Sequence, residues 1–198
     1  YERASQVAAY FKKSKPRSKV LILDANPDVV SKPALFKKAW AELYPGMVEF
    51  RPNNALVEVD GRARTAKLQF EDVKADVLNI VPTMRAAPLA RQAGLVNAND
   101  RWCAVDWLSM ESTAAKGIHV LGDATLSAPL MPKSGHMANQ HAKLAVAAIL
   151  NAFAGRPPNP TPVLMNTCYS FVDDAQVIHV ASVHQYNLDK RVVEPVAG

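Results

Sequence analysis

Four consecutive apolar residues, Val20-Leu21-Ile22-Leu23, closing on Asp24, constrain this chain more than any other stretch. A strand that is apolar on both faces needs cover on both, the pattern of a buried parallel sheet flanked by helices. Helical patterns do flank it. Tyr1 to Lys13 carries Val7, Ala8, Tyr10 and Phe11 as an apolar stripe that Pro16 ends, and Pro33 opens a second stripe through Phe36, Trp40 and Leu43 that stops at Pro45-Gly46. Leu56-Val57-Glu58-Val59 and Ala66 to Phe70 alternate around Asp60-Gly61, as a hairpin does. Ala75 to Val81 reads as a further apolar strand closed by Pro82. Helix, strand, helix, hairpin, strand is the order of the latter part of a nucleotide-binding α/β domain. Its usual first strand and glycine-rich loop are not among these residues.

Composition narrows the class. Hydrophobic residues make up 49% of the 198 and charged residues 21%, which is globular rather than disordered. No stretch approaches the roughly 18 uninterrupted apolar residues of a membrane span. Two cysteines separated by 64 residues fit neither a disulfide scaffold nor a zinc spacing. The net charge of +5 sits entirely in residues 1–19, where six basic residues face Glu2 alone. A nucleic-acid surface wants a basic stripe interleaved with aromatics. A solvated helix end, where the dipole favours cations, accounts for this tract more simply, so no nucleic-acid partner is expected. Of the five histidines, His136 and His141 share a helical stretch but stand five apart, not the three or four that put two ligands on one face. No metal site is expected.

The second half holds the residues suited to chemistry. Gly117-Ile118-His119-Val120-Leu121 leads into Gly122-Asp123-Ala124, which would set a carboxylate at the carboxyl edge of a sheet, where α/β folds bind nucleotides. Gly122 would let the backbone approach a ligand, and Asp123 would accept from sugar hydroxyls. A strand that simply ends in a capping Asp is the competing reading. Met131-Pro132-Lys133-Ser134-Gly135-His136-Met137 follows, with Ser134 placed to cap a long alanine-rich helix, Gly135 to Phe153, ended near Gly155. Such a helix start offers unmet N–H groups and partial positive charge, and Lys133 would add a full charge beside it. A short helix, Pro88 to Gln92, precedes this block. A proline-rich linker at 156–162 and two strands, Val163 to Val172 and Gln176 to His184, follow it.

The tail motifs Pro162-Val163-Leu164-Met165-Asn166-Thr167-Cys168-Tyr169-Ser170 and Ile178-His179-Val180-Ala181-Ser182-Val183 closely resemble the C-terminal flavin-binding region of the flavoprotein subunit of flavocytochrome c sulfide dehydrogenase. Pro132-Lys133-Ser134-Gly135, Trp102-Cys103-Ala104-Val105-Asp106 and the opening Tyr1-Glu2-Arg3 extend the resemblance over nearly the whole chain. Gly122-Asp123-Ala124 also resembles the second FAD motif of the two-dinucleotide-domain flavoproteins, the pyridine nucleotide-disulfide oxidoreductase superfamily. The resemblance implies a partial glutathione-reductase-like α/β fold with a C-terminal antiparallel β region. Residues 1–85 would then be a partial NAD(P)-binding-like domain, 86–126 the return segment of the FAD domain, and 127–198 the flavin-binding region.

It further implies bound FAD, held by Gly122, Asp123, Lys133, Ser134, Gly135, His136 and Met137. Cys168 would be one sulfur of a redox disulfide that oxidises sulfide, a c-type cytochrome subunit the electron acceptor, and the periplasm the location. Cys103 matches no second redox cysteine of the family and is expected to be a buried core residue. Asp24 stands where NAD enzymes bind ribose, but a protein passing electrons to a cytochrome leaves it as a strand terminator. The chain lacks the Gly-x-Gly-x-x-Gly fingerprint that holds the pyrophosphate. It is therefore expected to be a C-terminal fragment that holds FAD weakly or not at all, is inactive alone, and pairs its exposed strand edges as a homo-oligomer. Two rivals share the scaffold: a sulfide:quinone reductase or NADH dehydrogenase-like flavoprotein, and a non-catalytic interaction domain.

Overall fold

In the computed structural model the apolar run forms β1 (Val20–Leu23), and it is parallel, paired with β2 (Val48–Arg51) from Val20 opposite Val48 to Leu23 opposite Arg51. The connection between them is α2 (Pro33–Leu43), and α1 (Glu2–Ser14) precedes β1. Pro33 stands in the first turn of α2, where its missing N–H costs nothing. The structure describes residues 1–196; Ala197 and Gly198, the end of the expected 127–198 region, lie outside the described residues. The chain divides into two compact units, Tyr1–Val81 with Tyr169–Val180, and Pro82–Cys168 with Ala181–Gly198.

The core of the first unit is aromatic. Ala8 from α1 and Phe36, Ala39 and Trp40 from α2 bury together with Val29, Tyr44 and Val172, and Tyr1 and Phe50 pack against them. Tyr1 meets the rings of Phe36, Trp40 and Phe50 at centroid distances of 5.6, 6.1 and 6.3 Å, within the range where aromatic pairs attract. The polar ends of these rings are satisfied: Trp40 Nε1–H donates to Ser5 Oγ at 2.8 Å and Tyr44 OH donates to the Val172 carbonyl. Tyr1 OH donates to Asp24 Oδ2 at 2.6 Å, and burial together with that bond pushes the phenol's pKa up to about 12. Burial works to raise the Asp24 carboxyl, but donation from Tyr1 and from Asn26 (both its backbone N–H and its side chain) outweighs this and holds it below its ordinary value. Asp24 follows the last residue of β1, and its carboxylate is held by Tyr1 and Asn26.

The hairpin forms as β3 (Leu56–Asp60) and β4 (Thr65–Leu68), antiparallel, and β4 also pairs with a short β5 (Asp72–Lys74). The strand expected over Ala75 to Val81 is absent. The ladder ends where the Ala75 N–H donates to the Arg64 carbonyl, no further strand lies alongside among the described residues, and Val77 and Val81 stay 81% and 74% exposed. Apolar content alone does not make a strand without a partner to hydrogen-bond.

In the second unit, α3 (Pro88–Gln92) and α4 (Gly135–Phe153) form as expected. The run before Gly122 is not a regular strand. Ser112 N–H donates to the Ile118 carbonyl and Val120 N–H to the Met110 carbonyl, with an isolated bridge between Glu111 and His119. Met110 has a φ of 61°, which turns the opposing segment out of strand geometry and stops a ladder from forming. The core here is Val105, Trp107, Met110, Met131, Met137, Leu144, Leu164 and Val193, closed by Tyr186. The C-terminal part of the chain, whose residues Tyr169–Val180 belong to the first unit, forms β6 (Val163–Phe171) and β7 (Val177–Asn187), with a third strand, β8 (Val192–Pro195), antiparallel to β7.

Phe36→Ala empties the centre of the first unit's core, where the ring is 2% exposed. A loss of about 3–5 kcal/mol is expected, read as a lower urea midpoint by tryptophan fluorescence.

Candidate functional site

Ser134 ends an extended approach (φ −152°, ψ 156°) and starts α4, its Oγ accepting the Met137 N–H at 3.0 Å. The helix it caps buries Met137, His141, Leu144, Ala145 and Ala148, a stripe at helical spacing that seats it on the second unit's core. Gly135 and His136, in the first turn, are exposed. Met137 differs from them: its N–H serves the cap and its side chain is 1% exposed in the core. The N–H groups of Gly135 and His136 are therefore the ones the helix start can offer to a ligand.

The Gly122-Asp123-Ala124 segment is a single 3₁₀ turn laid against that helix. Gly122 has a φ of +68°, and a Cβ built there would come within 3.1 Å of the Ala138 Cβ. Both the backbone conformation and the close approach require glycine. The Gly122 N–H donates to His141 Nδ1 at 3.1 Å, and Thr125 Oγ1 donates to the Gly122 carbonyl at 2.8 Å. Asp123, at the tip, is exposed.

Lys133 braces the same turn. Its Nζ donates to the Asp123 carbonyl at 2.8 Å and to the Thr125 carbonyl at 2.5 Å, and it lies 3.8 Å from the centre of the Trp102 ring. Burial lowers its pKa, with the nearby Asp123 charge acting the other way. The ammonium expected to add its charge beside the helix start is thus also a staple between the turn and the residue before the cap.

The strand carrying Cys168 is tied to the same helix start. Ser134 Oγ–H donates to Asn166 Oδ1 at 2.6 Å, and the Thr167 N–H donates to His136 Nδ1 at 3.1 Å. Cys168, the next residue, is half-buried. Cys103 is a core residue: it is 0% exposed, its N–H donates to the Ala124 carbonyl, and burial pushes its thiol pKa up.

Two residues of this neighbourhood were not singled out by local spacing. His141 occupies the buried stripe of α4, four residues after Met137, so helical periodicity turns it inward. Its Nδ1 takes the Gly122 N–H, and its Nε2 has no hydrogen-bond partner. Asn166 is 2% exposed, with Nδ2 equally unmet. An asparagine inside an alternating strand was the available signal. Among the described residues no group of three or more His, Cys, Asp or Glu side chains is arranged to hold a metal ion.

Residues 1–82 match a family model described as the central region of the sulfide dehydrogenase [flavocytochrome c] flavoprotein chain. Residues 160–198 match one described as flavocytochrome c sulphide dehydrogenase, flavin-binding. Among solved structures, a chain of the Tetrahymena thermophila mitochondrial ATP synthase is 21% identical, with a TM-score of 0.67 over 90% of this chain and 45% of that one. That likeness concerns the fold alone. Reduced Bacillus anthracis CoADR-RHD is 12% identical, with a TM-score of 0.45 over 85% of this chain and 37% of its own, too low to bear on the fold. The chain spans less than half the length of both solved chains.

Gly122→Ala should cost about 1–2 kcal/mol for the left-handed backbone alone, and more once the Ala138 contact is added, read by thermal melting. Burial first, and the Lys133 charge second, lower the His141 pKa from 6.5 to about 4. Unfolding then takes up a proton between those values, so stability falls as pH drops from about 6.5 to about 4 and this group changes nothing further below. Burial shifts His184 in the same direction. His141→Gln should therefore flatten, without abolishing, the fall of urea midpoints over that range. Parallel slopes for the two proteins would remove His141 from this role.

Proposed function

The chain belongs to the family of the flavoprotein chain of flavocytochrome c sulfide dehydrogenase, and on that premise we propose that it supplies the thiol side of a flavin site that oxidises sulfide. The observation that carries this reading is the attachment of Asn166 and Thr167, the two residues before Cys168, to Ser134 and His136 at the start of α4. A sulfur and a helix N-terminus then share one neighbourhood.

The residues present suit FAD, the cofactor that goes with a flavin-binding region. Asp123 is an exposed carboxylate able to accept from sugar hydroxyls, and Gly122 seats the turn that carries it against α4. Gly135 and His136 offer N–H groups at a helix end that favours negative charge. Lys133 adds positive charge there while holding the turn. The unmet Nδ2 of Asn166 is a further donor. The broader arrangement in this reading is the latter part of a glutathione-reductase-like fold.

In the reaction, hydrosulfide attacks one sulfur of a disulfide to which Cys168 contributes. A bond forms between the incoming and the attacked sulfur, the disulfide bond breaks, and its electron pair leaves on the other sulfur as a thiolate. FAD, when bound, accepts two electrons and releases them singly to the haem of a c-type cytochrome subunit, which no side chain does. The half-buried setting of Cys168 gives the exchange the access it needs, and the inaccessible Cys103 does not take part. The periplasm is the location that goes with this chemistry.

The test uses the whole protein with its flavin. Sulfide should bleach the flavin absorbance, and Cys168→Ser should reduce sulfide turnover to background while the flavin stays bound. Cys103→Ser should keep turnover and lose about 1–3 kcal/mol of stability from altered packing. The reverse pattern would reassign the redox sulfur.

A further inference from the structure

We infer that Ser134, His136 and Asn166 form a clasp that fixes Cys168 relative to the start of α4, which makes them positioning residues for that thiol. The inference takes its importance from the reading of Cys168 as a redox sulfur, but its geometry is independent of flavin and sulfide.

The Ser134 hydroxyl has one proton. Its oxygen already accepts the Met137 N–H at 3.0 Å, so the proton is directed to Asn166 Oδ1 at 2.6 Å. One residue on, the Thr167 N–H donates to His136 Nδ1 at 3.1 Å. A single bond would leave the strand free to hinge about it. Two bonds, from adjacent strand residues to positions two apart in the first helical turn, fix both its position and its rotation. The Cα of Cys168 follows that of Thr167 by one peptide, about 3.8 Å, so little freedom remains to it.

Asn166 makes the design legible. It is 2% exposed, and its Nδ2 has no partner. Burying an amide with an unmet donor is unfavourable, so Asn166 is a poor residue for packing alone. What it supplies is the acceptor for Ser134.

The experiment measures the labelling rates of both cysteines in the whole, reduced protein with a small thiol reagent, resolved by peptide mass spectrometry. Cys103, which is 0% exposed, reports global opening, and Cys168 reports the clasp. Asn166→Leu leaves the helix cap in place and removes the acceptor together with the unmet amide donor. It should raise the Cys168 rate by about fivefold, the effect of losing one net hydrogen bond, and the Cys168 rate should stay above that of Cys103, which marks opening local to the clasp rather than global. Ser134→Ala removes the helix cap as well as the donor to Asn166 and should raise the Cys168 rate at least as much, and Ser134→Thr, which keeps the hydroxyl, should retain the wild-type rate. A Cys168 rate within about twofold of wild type in folded Asn166→Leu, or a Cys168 rate no faster than that of Cys103, would overturn the clasp. Should Asn166→Leu not fold, His136→Phe at an exposed position decides: a faster Cys168 rate and faster Thr167 amide exchange support the clasp, and no change overturns it. A protein that labels as expected but does not oxidise sulfide refutes the proposed function and leaves the clasp standing.

Discussion

The second unit is organised around the contact between the Gly122 turn and the flank of α4, where one extra carbon would come within 3.1 Å of Ala138. Two consequences follow from that closeness. The Gly122 N–H is brought to His141 Nδ1, so a buried donor is met by a buried acceptor. The chain beyond Ala124 must then turn back to reach the start of the same helix, and Lys133 bridges the return by donating to the Asp123 and Thr125 carbonyls. Asp123, Lys133 and Ser134 thus derive their arrangement from one packing contact. Moving the helix away from the turn would break the His141 bond and disturb the Lys133 brace together.

What was legible in the sequence is what local chemistry dictates. Pro33 and Ser134 mark helix starts because each solves a problem of the first turn, and α2 and α4 begin where those residues say. β1 and the hairpin follow from their patterns, and β1 is parallel as its doubly apolar run requires. The failures share a cause. Ala75 to Val81 and the run before Gly122 are largely apolar, yet neither finds a continuous partner, and pairing is decided far along the chain. β2 and β8 were invisible for the opposite reason: they are four-residue strands whose existence depends on the neighbour they meet. Within the candidate site, the turn at Gly122 and Asp123 and the cap at Ser134 were readable from spacing. The links through His141 and Asn166 join residues 19 and 32 positions apart, and no short pattern records them.

The electrostatics of the turn depend on one side chain being charged and another being neutral. His141 holds the Gly122 N–H only while Nδ1 keeps its lone pair, and a protonated imidazole would offer a second donor where an acceptor is required. Burial alone disfavours the imidazolium, and the Lys133 ammonium adds to that by repulsion, against a smaller opposing effect of Asp123. Lys133 in turn keeps its charge because two carbonyls and the Trp102 ring receive it, which offsets the burial that would otherwise favour the neutral amine. The cation therefore protects the acceptor, and the acceptor holds the turn whose carbonyls solvate the cation. Replacing Lys133 by a neutral residue of similar length would loosen the turn twice over: by removing two hydrogen bonds and by easing protonation of the histidine beneath it. An arginine there would keep the charge but replace a compact three-donor ammonium with a planar fork whose donors diverge, so the two carbonyls would no longer be met by one atom.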